Sequence, residues 1–171
     1  MLVFYATGGI WIMEKMLKLM EEDATLTPKE LSLMLSKEEG EIKRMISELE
    51  ASGVILGRRT VIDWEKLDGE RVSALIEVKV LPQRDDGFDK IAERISANPE
   101  IKSLHLMSGG FDFAVMIEGR TMKEVAFFVA RKLATIDAVT ATATHFVLKT
   151  YKDEGVIHGM PQKDMRETVV L

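Results

Sequence analysis

Residues 27–53, TPKELSLMLSKEEGEIKRMISELEASG, decide how the first third of the chain is read. Thr27 offers a capping hydroxyl, Pro28 stands where no N–H bond is needed, and Glu30 is placed to bond back to the cap. The spacing predicts a helix over 27–35 with Leu31, Met34 and Leu35 facing inward. A second start signal, Ser36-Lys37-Glu38-Glu39, follows at once. It opens a helix whose Ile42, Met45, Ile46 and Leu49 share one face, with Gly53 as its stop. Only a few residues therefore join the two helices.

Working upstream, apolar side chains at Met13, Met16, Leu17 and Met20 follow the i, i+3, i+4, i+7 rule and predict another helix over 13–23. Three helices with one short turn make the unit of helix-turn-helix proteins, which also serves as plain scaffolding. Downstream, residues 54–63 (VILGRRTVID) read as two short β segments turning around Gly57-Arg58-Arg59, a wing. A winged helix-turn-helix over 13–63 is the expectation. Residues 1–12 (MLVFYATGGIWI) are apolar but lack a basic start and a cleavage site, so a signal peptide is not expected. Met13 is a candidate start, and the upstream stretch is equally an extra strand or a tag remnant.

Residues 64–71 (WEKLDGER) are charged and read as a linker. Beyond them the pattern changes. Alternation over 72–80 predicts a strand, and Phe88, Ile91, Ala92 and Ile95 predict an amphipathic helix ending near Asn98-Pro99. Strands are expected over about 101–107 and 111–118, paired antiparallel through a two-residue Gly109-Gly110 loop. Thr121 and Glu124 form another capping box for a helix carrying Val125, Phe128, Val129 and Leu133, and a long strand is expected over about 139–151. The order βαββαβ packs as a four-stranded sheet under two helices, the ferredoxin-like fold, over residues 72–152. The fold class is α+β. Ile76, Val78, Ala114 and Val115 are too apolar for a solvated sheet face, so that face is expected to be buried against a second copy. Residues 153–171 are expected to be an irregular tail.

Composition limits the function classes. The 171 residues are 46% apolar and 30% charged, carry no cysteine and have a formal net charge of −5. No apolar run approaches the roughly 18 residues a membrane span needs. Disulfides and thiolate zinc sites are excluded, which suits a reducing, cytoplasmic setting. The acidic balance argues against a nonspecific polycation while leaving room for a local basic patch. His105, His145 and His158 show no metal-ligand spacing, and no metal or cofactor is expected. Met16, Met20, Met34 and Met45 read as core packing. No nucleophile–base pair, phosphate loop or carboxylate pair points to catalysis.

The two-domain order resembles that of the Lrp/AsnC transcriptional regulators. The stretch Leu49-Glu50-Ala51-Ser52-Gly53-Val54-Ile55-Leu56-Gly57 resembles the family's exit from the third helix into the wing, and Asp63-Trp64-Glu65-Lys66-Leu67 its linker. Ser108-Gly109-Gly110-Phe111-Asp112-Phe113 is similar to its glycine–aromatic–aspartate turn, and residues 142–149 (TATHFVLK) to its final strand. The resemblance covers roughly 13–152. It implies sequence-specific binding of double-stranded DNA, modulated by a small molecule such as an amino acid, in a homodimer or in an octamer assembled from dimers. Two positions depart from the pattern: Met45 stands where the family usually has arginine, and Ser32 where it has alanine. Residues 13–63 also carry eight Lys/Arg against eleven Asp/Glu, a net of −3.

Each candidate site has a functional and a bland reading. Lys37, Lys43 and Arg44 on the third helix and Arg58 and Arg59 at the wing are placed to neutralise phosphates, and an arginine there can read a guanine edge. The alternative is solvated surface charge. Gly109, Gly110 and Asp112, with Thr142 and Thr144, are the effector-binding candidates that the resemblance implies. The glycines leave backbone N–H groups open to a carboxylate, and Asp112 can pair with an ammonium. A tight hairpin beside a threonine-rich strand would look the same. Two other functions fit the architecture. One is an enzyme resembling the sirohaem decarboxylases, for which His105 and His145 are the available side chains. The other is a stand-alone effector-binding protein.

Overall fold

The computed structural model describes residues 7–67, 69–81 and 87–159. Those up to Ile62 form one compact unit and those from Asp63 a second. The expectations for residues 1–6 and 160–171 fall outside the described residues.

The first unit is three helices, α1 Thr7–Glu22, α2 Pro28–Leu35 and α3 Glu39–Ala51. α1 starts at Thr7 and not at Met13, because Ile12 packs on the same core as Met16 one turn later and carries the apolar stripe upstream. The capping box of α2 is present: Glu30 N–H donates to Thr27 Oγ1 at 3.3 Å, and Thr27 N–H donates to Glu30 Oε2 at 2.8 Å. Ser36 does not open α3. It sits at φ +51° and closes α2, with the Lys37 N–H donating to the Ser32 carbonyl at 3.0 Å, and α3 begins at Glu39 without a side-chain cap. Gly53, at φ +74°, ends α3 as expected. The core is Met16, Leu31, Ile42, Met45, Ile46 and Leu49. Met34 is 53% exposed, contrary to the packing expected of it, because the buried face of α2 runs through Leu31 and Ser32. The Ser32 hydroxyl is satisfied by the Lys29 carbonyl at 2.7 Å.

The expected wing strands are absent: residues 54–62 form no strand, and Leu56 is almost fully exposed. A lone two-stranded hairpin is marginal in water. Here Val54 and Ile55 N–H both turn back to the Leu49 carbonyl, and Arg58 reaches back to Glu50 at 3.5 Å.

The second unit opens with a 3₁₀ turn, Trp64–Lys66, inside the expected linker. Then come β1 Val72–Val80, α4 Phe88–Ser96, β2 Ile101–Leu106, β3 Phe113–Gly119, α5 Met122–Phe128, extended by a π-helical turn Val129–Leu133, and β4 Val139–Phe146. The four strands form one antiparallel sheet in the order β2-β3-β1-β4. Its core holds Ala74, Ile76 and Val78 of β1 against Ile91 and Ile95 of α4 and Val125 and Phe128 of α5. The turn from β2 to β3 is longer than two residues. Met107 N–H donates to the Asp112 carbonyl at 2.8 Å, which leaves four residues, 108–111, in the reversal. Gly109 alone of the two glycines takes a positive φ, +141°. β4 stops at Phe146 and not near Tyr151, although Val147 N–H still donates to Ser73. Residues 152–157 are not irregular: β5 Lys152–Asp153 and β6 Val156–Ile157 pair through a turn in which Glu154 and Gly155 both have positive φ.

Register sorts the sheet's two faces. Ile76 pairs with Val115 and Thr144, and Val78 with Phe113 and Thr142, and this set lies under the helices. The expectation that Ile76, Val78 and Val115 need a second copy for burial is therefore overturned: α4 and α5 already cover them. The opposite face carries Leu75, Glu77, Ala114, Met116, Ala143 and His145. Of the four residues expected there, only Ala114 belongs to it.

Candidate nucleic-acid surface and ligand-binding residues

The α3 helix turns Ile42, Met45, Ile46 and Leu49 into the core and leaves Lys43 and Arg44 at 61% and 68% side-chain exposure. Met45 thus packs where the family's arginine would stand. Lys37 lies in the turn before α3, and Arg58 and Arg59 on the strandless segment after it. Carboxylates accompany these cations. Lys37 pairs with Glu41 at 3.1 Å, Lys43 with Glu39 at 2.6 Å, Arg44 with Glu48 at 4.0 Å, and Arg58 with Glu50 at 3.5 Å. The Lys43 ammonium holds the Glu39 carboxyl below the usual carboxylate range, so the acid stays ionised beside it. An incoming phosphate competes with these acids for each cation, a feature already visible in the net of −3.

The ligand candidates are only partly brought together. Asp112 N–H donates to Val78 O at 3.0 Å and its Oδ2 accepts from Val80 N–H at 2.8 Å, so the turn bearing Gly109 and Gly110 is fastened to the end of β1. Thr142 faces Val78 from the other side of β1, and Thr144 lies one pair further along, beside Ile76. Two strand spacings, roughly 10 Å, separate Asp112 from Thr142. On the open face Glu77 Oε1 lies 3.3 Å from His145 Nε2, and His105 pairs with Ala114, whose other neighbour is Glu77.

Elsewhere in the second unit a cleft of about 680 Å³ is lined by Trp64, Leu67 and Arg71 on one side and Lys102, Glu118 and Arg120 on the other. Along the chain, residues 64–71 have the charged pattern of a connector, which hides the cleft. The signal available was Trp64 itself, an aromatic in a charged stretch.

A three-helix unit with cations along an exposed helix, on one chain with an α+β sandwich, is the make-up of a ligand-modulated DNA-binding regulator. Residues 73–157 match the sequence profile of the Lrp/AsnC ligand binding domain. The HTH-type transcriptional regulator YugG of Bacillus subtilis is 41% identical over 156 residues, 91% of this chain and 94% of that protein. The regulator FL11 of Pyrococcus horikoshii is 30% identical over 82% of this chain and 89% of its own length. The chain belongs to the Lrp/AsnC family of HTH-type transcriptional regulators. Two solved structures share the fold. The Neisseria meningitidis regulator NMB0573, solved with L-Met, matches 89% of this chain and 96% of its own at TM-score 0.67 and 22% identity. AsnC of Escherichia coli matches 86% and 95% at TM-score 0.63 and 16% identity.

Proposed function

We propose that the first unit is a helix-turn-helix DNA-binding domain with α3 as its recognition helix. The second unit, on this reading, is a ferredoxin-like domain that dimerises and takes an amino-acid effector. The observation that carries this is the division of α3: one side is locked in the core by four buried residues, so Lys43 and Arg44 stand on a rigid element that fits a major groove. Lys37, Arg58 and Arg59 add phosphate contacts on either side. L-Met in the NMB0573 structure supports an amino acid as the effector class. Gly109, Gly110 and Asp112, with Thr142 and Thr144, are the residues proposed to meet it. The open sheet face, through Leu75, Ala114, Met116 and Ala143, is proposed as the dimer surface, and dimers associate further into an octamer. An effector held between subunits alters DNA affinity only as far as it prefers one arrangement of the DNA-binding units over another. The absence of cysteine suits a cytoplasmic setting.

The test is selection of genomic fragments by the purified protein, with and without a panel of amino acids, followed by sequencing. Enrichment of a recurrent duplex motif that shifts with one amino acid is expected. Recovery of fragments in proportion to their abundance, whatever is added, would overturn the reading.

A further inference from the structure

We propose that the cleft between residues 64–67 and 69–71 on one side and the β3 end of the sheet on the other is a second ligand site, for a small zwitterion with an apolar body. It rests on the regulator reading only for its consequence, the coupling to DNA. The cleft is remote from the Gly109 turn. β1 enters beside it at Val72, paired with Gly119, whereas Asp112 is bonded at Val78 and Val80, roughly 20–25 Å along the strand.

Charge and shape specify the ligand class. Arg71 and Lys102 both converge on the Glu118 carboxylate, Lys102 at 3.5 Å, so two cations share one acid. Glu70 and Arg120, both exposed on the cleft's lining, form no ion pair among the described residues. The lining therefore keeps one acid and one cation, Glu70 and Arg120, outside its own ion pairs, and a ligand with a single charge meets only one of them. Between them lie the half-exposed indole of Trp64, the Leu67 side chain and Pro99. The guanidinium carbon of Arg71 stands 4.2 Å from the indole centroid, which fixes both groups in a stack. A carboxylate directed at Arg120, an ammonium at Glu70 and an apolar chain on Trp64 answer the charges that the lining leaves open, since Glu100 is held by Lys132 and Glu124 accepts the Arg120 N–H. The volume falls within the ordinary range for small-molecule sites, about 300–1,000 Å³.

The wall carrying Trp64 is also the start of the second unit. It is anchored from behind: Glu65 accepts the Thr150 N–H at 3.2 Å, and Asp63 faces the nearly buried His158, with Oδ1 3.9 Å from Nδ1. A ligand gripping Trp64 and Arg71 therefore acts on the segment where the first unit is attached.

Trp11 and Trp64 are the two tryptophans, so a Trp11→Phe background makes Trp64 a lone reporter. Its emission is titrated with L-methionine, L-leucine and L-phenylalanine, and with 4-(methylthio)butanoate and 3-(methylthio)propylamine as single-charge analogues. A saturable change with at least one amino acid and with neither analogue is expected. Arg120→Ala and Glu70→Gln are each expected to raise the Kd by roughly tenfold to a hundredfold, while Asp112→Asn leaves it unchanged. A response equal for amino acid and analogue, no response at all, or no effect of either cleft substitution overturns the site. Calorimetry on the same proteins separates the two readings. Heat abolished by Asp112→Asn but untouched by Arg120→Ala ends this inference and leaves the proposed effector function standing, whereas no heat from any amino acid removes both.

Discussion

The backbone N–H of Val80 donates to the Asp112 carboxylate at 2.8 Å, which ties the end of β1 to the turn between β2 and β3. The residue proposed to meet an effector ammonium therefore already holds the turn in place with one of its two oxygens. Substitution separates the roles. Asn keeps an acceptor for Val80 and loses the charge, while Ala loses both. Asp112→Ala is expected to cost about 1–3 kcal/mol of stability in denaturant unfolding, and Asp112→Asn less than about 1 kcal/mol. Both should lose the DNA-binding response to the effector. An Asn variant that responds as wild type does would make Asp112 a fastening for the turn alone.

What the sequence disclosed followed from period and caps. The 3.6-residue stripe of α3, the Thr27–Glu30 capping box, the Thr121 cap and the succession of strands and helices along the second unit were legible, because each is a local pattern with one satisfying geometry. The Thr121–Glu124 box is only half formed, since the Glu124 carboxylate takes the Arg120 N–H instead. The misreadings arose where a local signal met a tertiary alternative. Ser36 looks like an N-cap, yet its left-handed backbone closes the preceding helix. Residues 54–62 have β-forming side chains but no third strand to join. Nor does alternation alone say which sheet face the helices cover, and Ile76, Val78 and Val115 lie on the covered side. The cleft at Trp64 joins residues more than fifty positions apart, and no window along the chain shows it.

Ala143 tests the dimer surface. It pairs with Glu77 across β1 and β4 on the open face, beside the Glu77–His145 contact. Ala143→Glu puts a second carboxylate opposite Glu77, and like charges directly across a ladder are unfavourable. Light scattering should show the wild type as a dimer or a larger assembly and the variant shifted toward the 19.2 kDa monomer. A wild type that scatters as a monomer at micromolar concentration would remove the interface and the intersubunit effector mechanism with it.

Acid sensitivity of the second unit should pass through Glu100. Lys132 Nζ lies 2.9 Å from its Oε1, and that bond, followed by the Glu100 backbone N–H, holds the carboxyl below its ordinary 4.5. A carboxyl depressed on folding contributes stability above its unfolded value and loses it as pH falls through the folded one. Lys132→Met should therefore lower the urea midpoint modestly at neutral pH, because the pair is partly exposed, and converge with wild type below about pH 3. A constant offset between the two proteins across the acid limb would show that packing, and not the ion pair, had been lost.

Contact between this acidic first unit and DNA has a sharp test in the paired acids. Lys43, Arg44 and Arg58 each lie within 4.0 Å of a glutamate that repels phosphate and competes for the cation. If these cations meet the backbone, Glu39→Gln, Glu48→Gln and Glu50→Gln should each tighten binding, by roughly twofold to fivefold given the worth of exposed ion pairs. Removing cations acts in the opposite direction and sorts their roles. Arg58→Ala and Arg59→Ala should weaken cognate and scrambled duplexes alike and flatten the slope of log affinity against log salt by about 0.9 per lost contact. Arg44→Ala should instead lose about 1–3 kcal/mol chiefly on the cognate site if its guanidinium reads a base edge. For that it must leave Glu48, so Glu48→Gln and Arg44→Ala should be non-additive when combined. Circular dichroism guards against unfolding, since all six side chains lie outside the first unit's core. Affinities and slopes unchanged in every variant would identify this face as solvated, internally paired charge, and the stand-alone effector-binding reading would then take the place of the DNA-binding one.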